Sequence, residues 1–112
     1  NQGCSGFVYA LFTAFSFLKQ KNINKVLIVC SDTYTKYVKK GDRSCETIFS
    51  DGASAIIINK NSKKKYDFNF GTDGSGSKNL IVKNSGTNYK RNAVPELFMD
   101  GKNVFLFSLE MS

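Results

Sequence analysis

The stretch SGFVYALFTAFSFLKQKNINKVLIVC, residues 5–30, decides the fold class. Phe7, Leu11, Phe15 and Leu18 recur near helical spacing while Val8, Phe12 and Phe17 fill other faces. The spacing therefore predicts a helix over residues 5–20 that is apolar on nearly every side, and hence buried. A polar run over residues 19–24 ends it. Val26, Leu27, Ile28, Val29 and Cys30 then form a short unbroken apolar segment, the pattern of a strand covered on both faces. A buried helix feeding a buried strand predicts an α/β fold.

The pattern continues downstream. Residues 53–59, centred on Ile56, Ile57 and Ile58, predict a second buried strand. Residues 31–51 between the two mix charge with Tyr34, Tyr37 and Gly41 without a sustained period, which predicts a connection holding a helical turn. Connections of this kind often carry function. The basic stretch with Lys63, Lys64 and Lys65 reads as an exposed loop. Tyr66, Phe68 and Phe70 alternate with polar residues as in a half-buried strand, and residues 71–77 form a glycine and serine loop. Residues 79–83 predict one more short strand, residues 84–92 are irregular, and Pro95 precedes an apolar segment that becomes a helix after Gly101. No internal repeat is visible. So few strands cannot complete a doubly covered sheet, so partner strands are expected from elsewhere, and the unpaired edges would make an isolated piece adhesive.

A chain of 112 residues that is 41% hydrophobic fits one globular domain or part of one. It opens on Asn1 and stops at Ser112 just after an apolar run, so it is expected to be an internal piece of a longer protein. The longest apolar stretch, residues 7–18, includes Thr13 and Ser16 and falls short of the roughly 20 residues that span a bilayer. A secretory leader would put a basic segment before the apolar one, whereas here Gly3-Cys4-Ser5-Gly6 leads and the lysines follow, so export is not expected. Cys4, Cys30 and Cys45 show no CxxC spacing and the chain has no histidine, which argues against a disulfide framework or a zinc site and for a reducing cytoplasm. The net charge of +7 suits an anionic partner such as a phosphate-bearing cofactor, an acidic carrier protein or nucleic acid. The scattered lysines disfavour nucleic acid.

The sharpest chemical feature is Gly3-Cys4-Ser5-Gly6-Phe7, a cysteine between small residues at the mouth of the first helix. The first N–H groups of a helix lack internal partners and carry partial positive charge, which favours the thiolate, the nucleophilic form of cysteine. Flanking glycines let a substrate approach the backbone and free an N–H to face a developing oxyanion. The bland alternative is a small cysteine that merely packs.

Residues 1–11, NQGCSGFVYAL, resemble the active-site segment of the β-ketoacyl-acyl-carrier-protein synthase III family, in which Ala-Cys-Ala-Gly-Phe is common; Ser5 replaces the usual alanine. VLIVCSD at residues 26–32 is similar to the family's strand ending in Ser-Asp, Asp42-Arg43 to its Asp-Arg pair, and FSDGA at residues 49–53 to its Phe-Gly-Asp-Gly-Ala signature. Weaker likenesses follow at Asp73-Gly74-Ser75 and in MDGKNVF, residues 99–105. Four motifs in family order make coincidence a poor explanation.

The resemblance implies a thiolase-like layered α/β/α/β/α sandwich and a homodimer, of which this chain is a partial piece. Residues 1–60 would be the later part of the N-terminal half, residues 61–95 connecting strands and loops, and residues 96–112 the start of the C-terminal half. It implies Cys4 as the nucleophile that accepts an acyl group from acyl-CoA before condensation with malonyl-acyl-carrier-protein at the start of fatty-acid biosynthesis. Arg43 would lie at the coenzyme A entrance, Gly101 and Phe105 along the pantetheine tunnel, and Phe49, Leu97 and Met99 in the acyl pocket, with Tyr34 where the family often has leucine. Asp51 would serve only the turn before a strand. No metal or separate cofactor is implied, and neither is a membrane partner. The family's decarboxylating histidine and asparagine would lie downstream, so the piece alone should be inactive. Two alternatives stay open: a related thiolase-fold synthase, such as a hydroxymethylglutaryl-CoA synthase or a specialised ketosynthase, and a non-catalytic basic binding module.

Overall fold

The first helix, α1, runs over Gly6–Leu18 and is entered through a short 3-10 turn, Gly3–Ser5. In this computed structural model, which describes residues 2–61 and 65–110, the chain divides into two units, Asn1–Asp32 with Gly52–Phe70, and Thr33–Asp51 with Gly71–Ser112. Helix and strand are mixed in the sense expected of an α/β sequence. Among the described residues no helix is long and apolar enough to cross a membrane.

In the first unit, strands β1 (Lys25–Asp32) and β2 (Gly52–Asn59) pair antiparallel, with Ile28 opposite Ile56 and Val26 opposite Ile58. The Lys60 N–H donates to the Asn24 carbonyl at 2.9 Å and its Nζ to the Gln20 carbonyl at 2.7 Å, tying the end of β2 to the connection after α1. Strand side chains alternate between faces. Ile28, flanked by half-buried Val26 and Cys30, lies on the face toward α1, whereas Leu27 and Val29 are open to solvent.

Two expectations are corrected here. The strands are not covered on both faces: within β1 and β2 only Ile28 is buried, and Ile57 is 59% exposed. Nor is α1 buried all round, since Ala14 and Leu18 are enclosed while Phe12 and Phe17 are about half exposed. The cause is a shortage of partners. A two-stranded sheet has one helix to meet on one face, so an all-round apolar pattern states a need for burial that these elements do not meet.

Residues 66–70 are a further correction, because they form no strand. Their period of two is nevertheless real. Tyr66, Phe68 and Phe70 present three rings to one side, and these meet rings spaced three apart on α1 in reverse order: Tyr66 stacks on Phe15 with centroids 4.1 Å apart, Phe68 meets Phe12 edge-on at 5.5 Å, and Phe70 stacks on Tyr9 at 4.5 Å. Such pairs add about 0.5–1.5 kcal/mol each beyond the area they bury. Lys63 and Lys64, read as exposed, lie outside the described residues.

In the second unit, β3 (Leu80–Lys83) fulfils the expectation for residues 79–83 and pairs antiparallel with β4 (Glu96–Met99), Val82 opposite Leu97. Strand β4 is unforeseen, being four residues directly after Pro95. Lys83 places its ammonium 3.8 Å from the centre of the Phe98 ring, covering part of this ribbon's open face. Asn84 and Asn92 take left-handed backbone (φ 55° and 71°) in the connection, a conformation asparagine tolerates better than most residues.

Helix α2 spans Gly101–Glu110, as expected, and Asp100 launches it. The Asp100 N–H donates to the Asn79 carbonyl at 2.7 Å, extending the β3–β4 ladder, while its carboxylate accepts from the Asn103 N–H at 3.1 Å and from Asn103 Nδ2 at 2.8 Å. One residue thus ends a strand and caps a helix.

Candidate active site

Cys4 is exposed, and its thiol is free. Gly3 before it has φ +53°, a conformation costly to a residue with a Cβ, and this bend leads Cys4 and Ser5 into the helical turn. The Ser5 N–H donates to the Gln2 carbonyl at 3.2 Å and the Gly6 N–H to the Gly3 carbonyl, so the turn closes before α1 begins. Cys4 therefore stands at the positive end of a 13-residue helix dipole, with open space where side chains on Gly3 and Gly6 would project. The other two thiols differ. Cys30 is half-buried on β1, and Cys45 is wholly enclosed.

The remaining six candidate residues lie in the second unit. Arg43 is exposed within a compact turn started by Asp42, whose Oδ1 accepts from Ser44 Oγ at 2.6 Å and from the Ser44 N–H at 2.9 Å. The Ser44 hydroxyl, then its N–H, holds the Asp42 carboxyl below the usual carboxylate range. The Arg43 carbonyl accepts from Thr47 Oγ1 at 2.9 Å, and the Phe49 N–H donates to the Cys45 carbonyl at 2.9 Å, so the turn delivers Phe49 at a fixed place. Gly41, with φ +87°, turns the chain into this segment, and its N–H donates to Glu46 Oε2 at 3.0 Å.

Phe49 is half-buried and stacks on Tyr34, ring centroids 5.2 Å apart with planes 29° from parallel. Leu97 is 2% exposed, and its carbonyl lies 4.0 Å from Cys45 Sγ, joining the turn to β4. Burial pushes the Cys45 thiol above its ordinary range. Met99, half-buried, has its Cε 3.8 Å from where a Cβ on Gly101 would stand. Phe105 on α2 is 61% exposed. The structure thus joins Phe49 to Tyr34, the Phe49 turn to Leu97 through Cys45, and Met99 to Gly101.

Sequence reasoning passed over two groups. Cys45 looked like one member of an odd set, yet it links the turn to β4. Asp51 was expected to serve only the turn before β2. Its Oδ1 instead accepts from the Thr35 N–H at 2.9 Å and its Oδ2 from Thr35 Oγ1 at 2.8 Å, and these bonds, the backbone one foremost, hold the carboxyl below its usual range. A pairing 16 residues apart leaves no local pattern to read. Among the described residues no three His, Cys, Asp or Glu side chains are grouped to hold a metal ion.

Residues 1–74 match the family of 3-Oxoacyl-[acyl-carrier-protein (ACP)] synthase III, so this chain belongs to that family. It is 35% identical over 115 residues to the β-ketoacyl-[acyl-carrier-protein] synthase III of Porphyra umbilicalis, covering 95% of this chain and 35% of that protein. The synthase III of Staphylococcus aureus strain JH1 is 32% identical over 111 residues, covering 96% of this chain and 33% of that protein. The chain spans about a third of the length of the curated relatives it matches.

Proposed function

We propose that this chain is part of a β-ketoacyl-acyl-carrier-protein synthase III, a cytoplasmic homodimer on the thiolase-like α/β/α/β/α sandwich. It would start fatty-acid biosynthesis by condensing an acyl-CoA, acetyl-CoA foremost, with malonyl-acyl-carrier-protein. Residues 1–60 then belong to the N-terminal half, residues 61–95 connect, and residues 96–112 open the C-terminal half. The observation that carries this reading is Cys4, an exposed free thiol between a left-handed Gly3 and the start of α1, inside the stretch that matches the family.

The chemistry follows from that placement. The Cys4 thiolate attacks the thioester carbonyl of acyl-CoA, the positive end of α1 favours the negative charge that develops on oxygen, and the carbon–sulfur bond to coenzyme A breaks. Coenzyme A leaves with the proton that Cys4 gave up. The malonyl group on the carrier next loses carbon dioxide, and the resulting carbanion attacks the acyl carbonyl on Cys4, releasing 3-oxoacyl-carrier and restoring the thiolate. With no histidine among its 112 residues, this chain assigns the decarboxylation to residues outside itself and is expected to be inactive alone.

Around this step, Arg43 offers a planar cation suited to the nucleotide end of coenzyme A. Gly101 and Phe105 line the pantetheine path, and Phe49, Leu97 and Met99 wall the acyl group. Intact-mass spectrometry of the full-length protein after incubation with acetyl-CoA is the test. A single acetyl adduct on Cys4, lost in Cys4→Ser, is expected; an adduct that persists in Cys4→Ser, or none in the wild type, overturns the assignment.

A further inference from the structure

We infer that the first unit carries a second binding site, at the far end of α1 from Cys4, for a nucleotide held by its phosphates and its ring. All seven lysines of this unit fall within residues 19–25 and 60–65, against two acidic residues, Asp32 and Asp67. The antiparallel register starts both lysine segments from one end of the ladder, because Lys25 stands opposite Asn59 while Asp32 stands opposite Gly52 at the other end. Charge of one sign gathered at one pole sets up a field that attracts anions. Cys4 lies at the opposite end of the 13-residue helix, about 20 Å away at roughly 1.5 Å per residue.

At the basic pole Lys19, Lys60 and Lys65 line a cleft of about 450 Å³ together with Phe15, Tyr66 and one carboxylate, Asp67. That volume lies within the range of small-molecule sites. Lys60 is held from two sides, its N–H donating to the Asn24 carbonyl at 2.9 Å and its Nζ to the Gln20 carbonyl at 2.7 Å. An ammonium has three donors, so two are left for a ligand. The negative end of α1 opposes an anion here with about half an elementary charge. Three ammoniums against that and one carboxylate leave the cleft positive. Lysine meets phosphate as a point charge, which suits a flexible diphosphate. The ring is called for by the wall, since Tyr66 stacks on Phe15 with centroids 4.1 Å apart and is still 49% exposed. A flat base can extend that stack. A concave cleft with both features fits a nucleotide better than it fits an extended acidic surface.

The experiment titrates the full-length protein with adenosine diphosphate and, separately, with pyrophosphate, by calorimetry at low ionic strength, where exposed charges are least screened. Adenosine diphosphate should bind, and Lys19→Gln and Lys65→Gln should each weaken it about threefold and together about tenfold, the scale of exposed ion pairs. Tyr66→Leu, which keeps apolar bulk against Phe15, should weaken adenosine diphosphate about threefold and leave pyrophosphate unmoved. Circular dichroism checks that each variant is folded. Arg43→Ala separates this cleft from the nucleotide end of coenzyme A assigned above, and the binding that depends on Lys19 should persist in it. Adenosine diphosphate binding that is lost in Arg43→Ala and unmoved in the double lysine variant overturns the inference while supporting the place given to Arg43. Pyrophosphate bound as tightly as adenosine diphosphate overturns the nucleotide assignment. No binding of either probe overturns the site and leaves Cys4 as nucleophile.

Discussion

Leu97→Ala should loosen the β3–β4 ribbon far more than its four-residue strands suggest. Leu97 is 2% exposed, so almost all of its side chain is out of water. Truncation removes three carbons, about 2.4 kcal/mol at roughly 0.8 kcal/mol each, and the cavity left behind brings the cost to about 3 kcal/mol. At about 1.4 kcal/mol per factor of ten, the population of the open ribbon should rise roughly 100-fold. Hydrogen exchange of the amides that bridge Leu80–Lys83 and Glu96–Met99 reads this directly, provided closing outruns exchange. Val94, only three residues upstream, is 78% exposed, and Val94→Ala should change protection by less than about 0.5 kcal/mol. Protection lowered less than about threefold by Leu97→Ala, or equally by both variants, would show that Leu97 does not anchor this ribbon.

Three other outcomes are expected. Alkylation with iodoacetamide, followed by peptide mapping, should modify Cys4 well before Cys45, because one thiol is exposed and the other enclosed; equal rates would contradict the burial of Cys45. Acid should destabilise the segment around Asp42 and Asp51, whose carboxyls are held low by Ser44 and Thr35. A depressed carboxylate contributes stability that is present above its unfolded value near 3.9 and lost as pH falls through the folded value, so a circular-dichroism titration of Asp51→Asn should show a smaller loss below about pH 4 than the wild type. Finally, Gly3→Ala should cost about 1–2 kcal/mol through its left-handed φ of +53° alone, because a Cβ there meets nothing within 4 Å. An unchanged unfolding midpoint would mean that the turn before Cys4 relaxes freely.

What the amino-acid sequence determined by itself was most of the local elements, β4 excepted. The helix read over residues 5–20 is α1, the apolar run from Val26 is β1, the isoleucines lie in β2, and the helix after Gly101 is α2. Each is set by contacts within a few residues, such as helical spacing, a strand's run of branched side chains, or the Asp100 cap. Even the place of Cys4 beside Gly3 and Gly6 was legible, because a thiol at a helix mouth is a matter of neighbours in the chain. The alternation at Tyr66, Phe68 and Phe70 was legible as a period and misread as a strand, since a period of two states which side the rings share and not whether a neighbouring strand pairs with the backbone.

Tertiary structure alone decided what each surface meets. Apolar content predicted burial for α1, β1 and β2, yet burial needs a partner, and a two-stranded sheet with one helix leaves Phe17, Leu27 and Ile57 open. The Thr35–Asp51 bonds, the Tyr34–Phe49 stack and the seat of Cys45 beside Leu97 join residues 15 to 52 positions apart. No spacing rule reaches that far, because such contacts depend on how the whole chain is routed rather than on the preferences of any one segment.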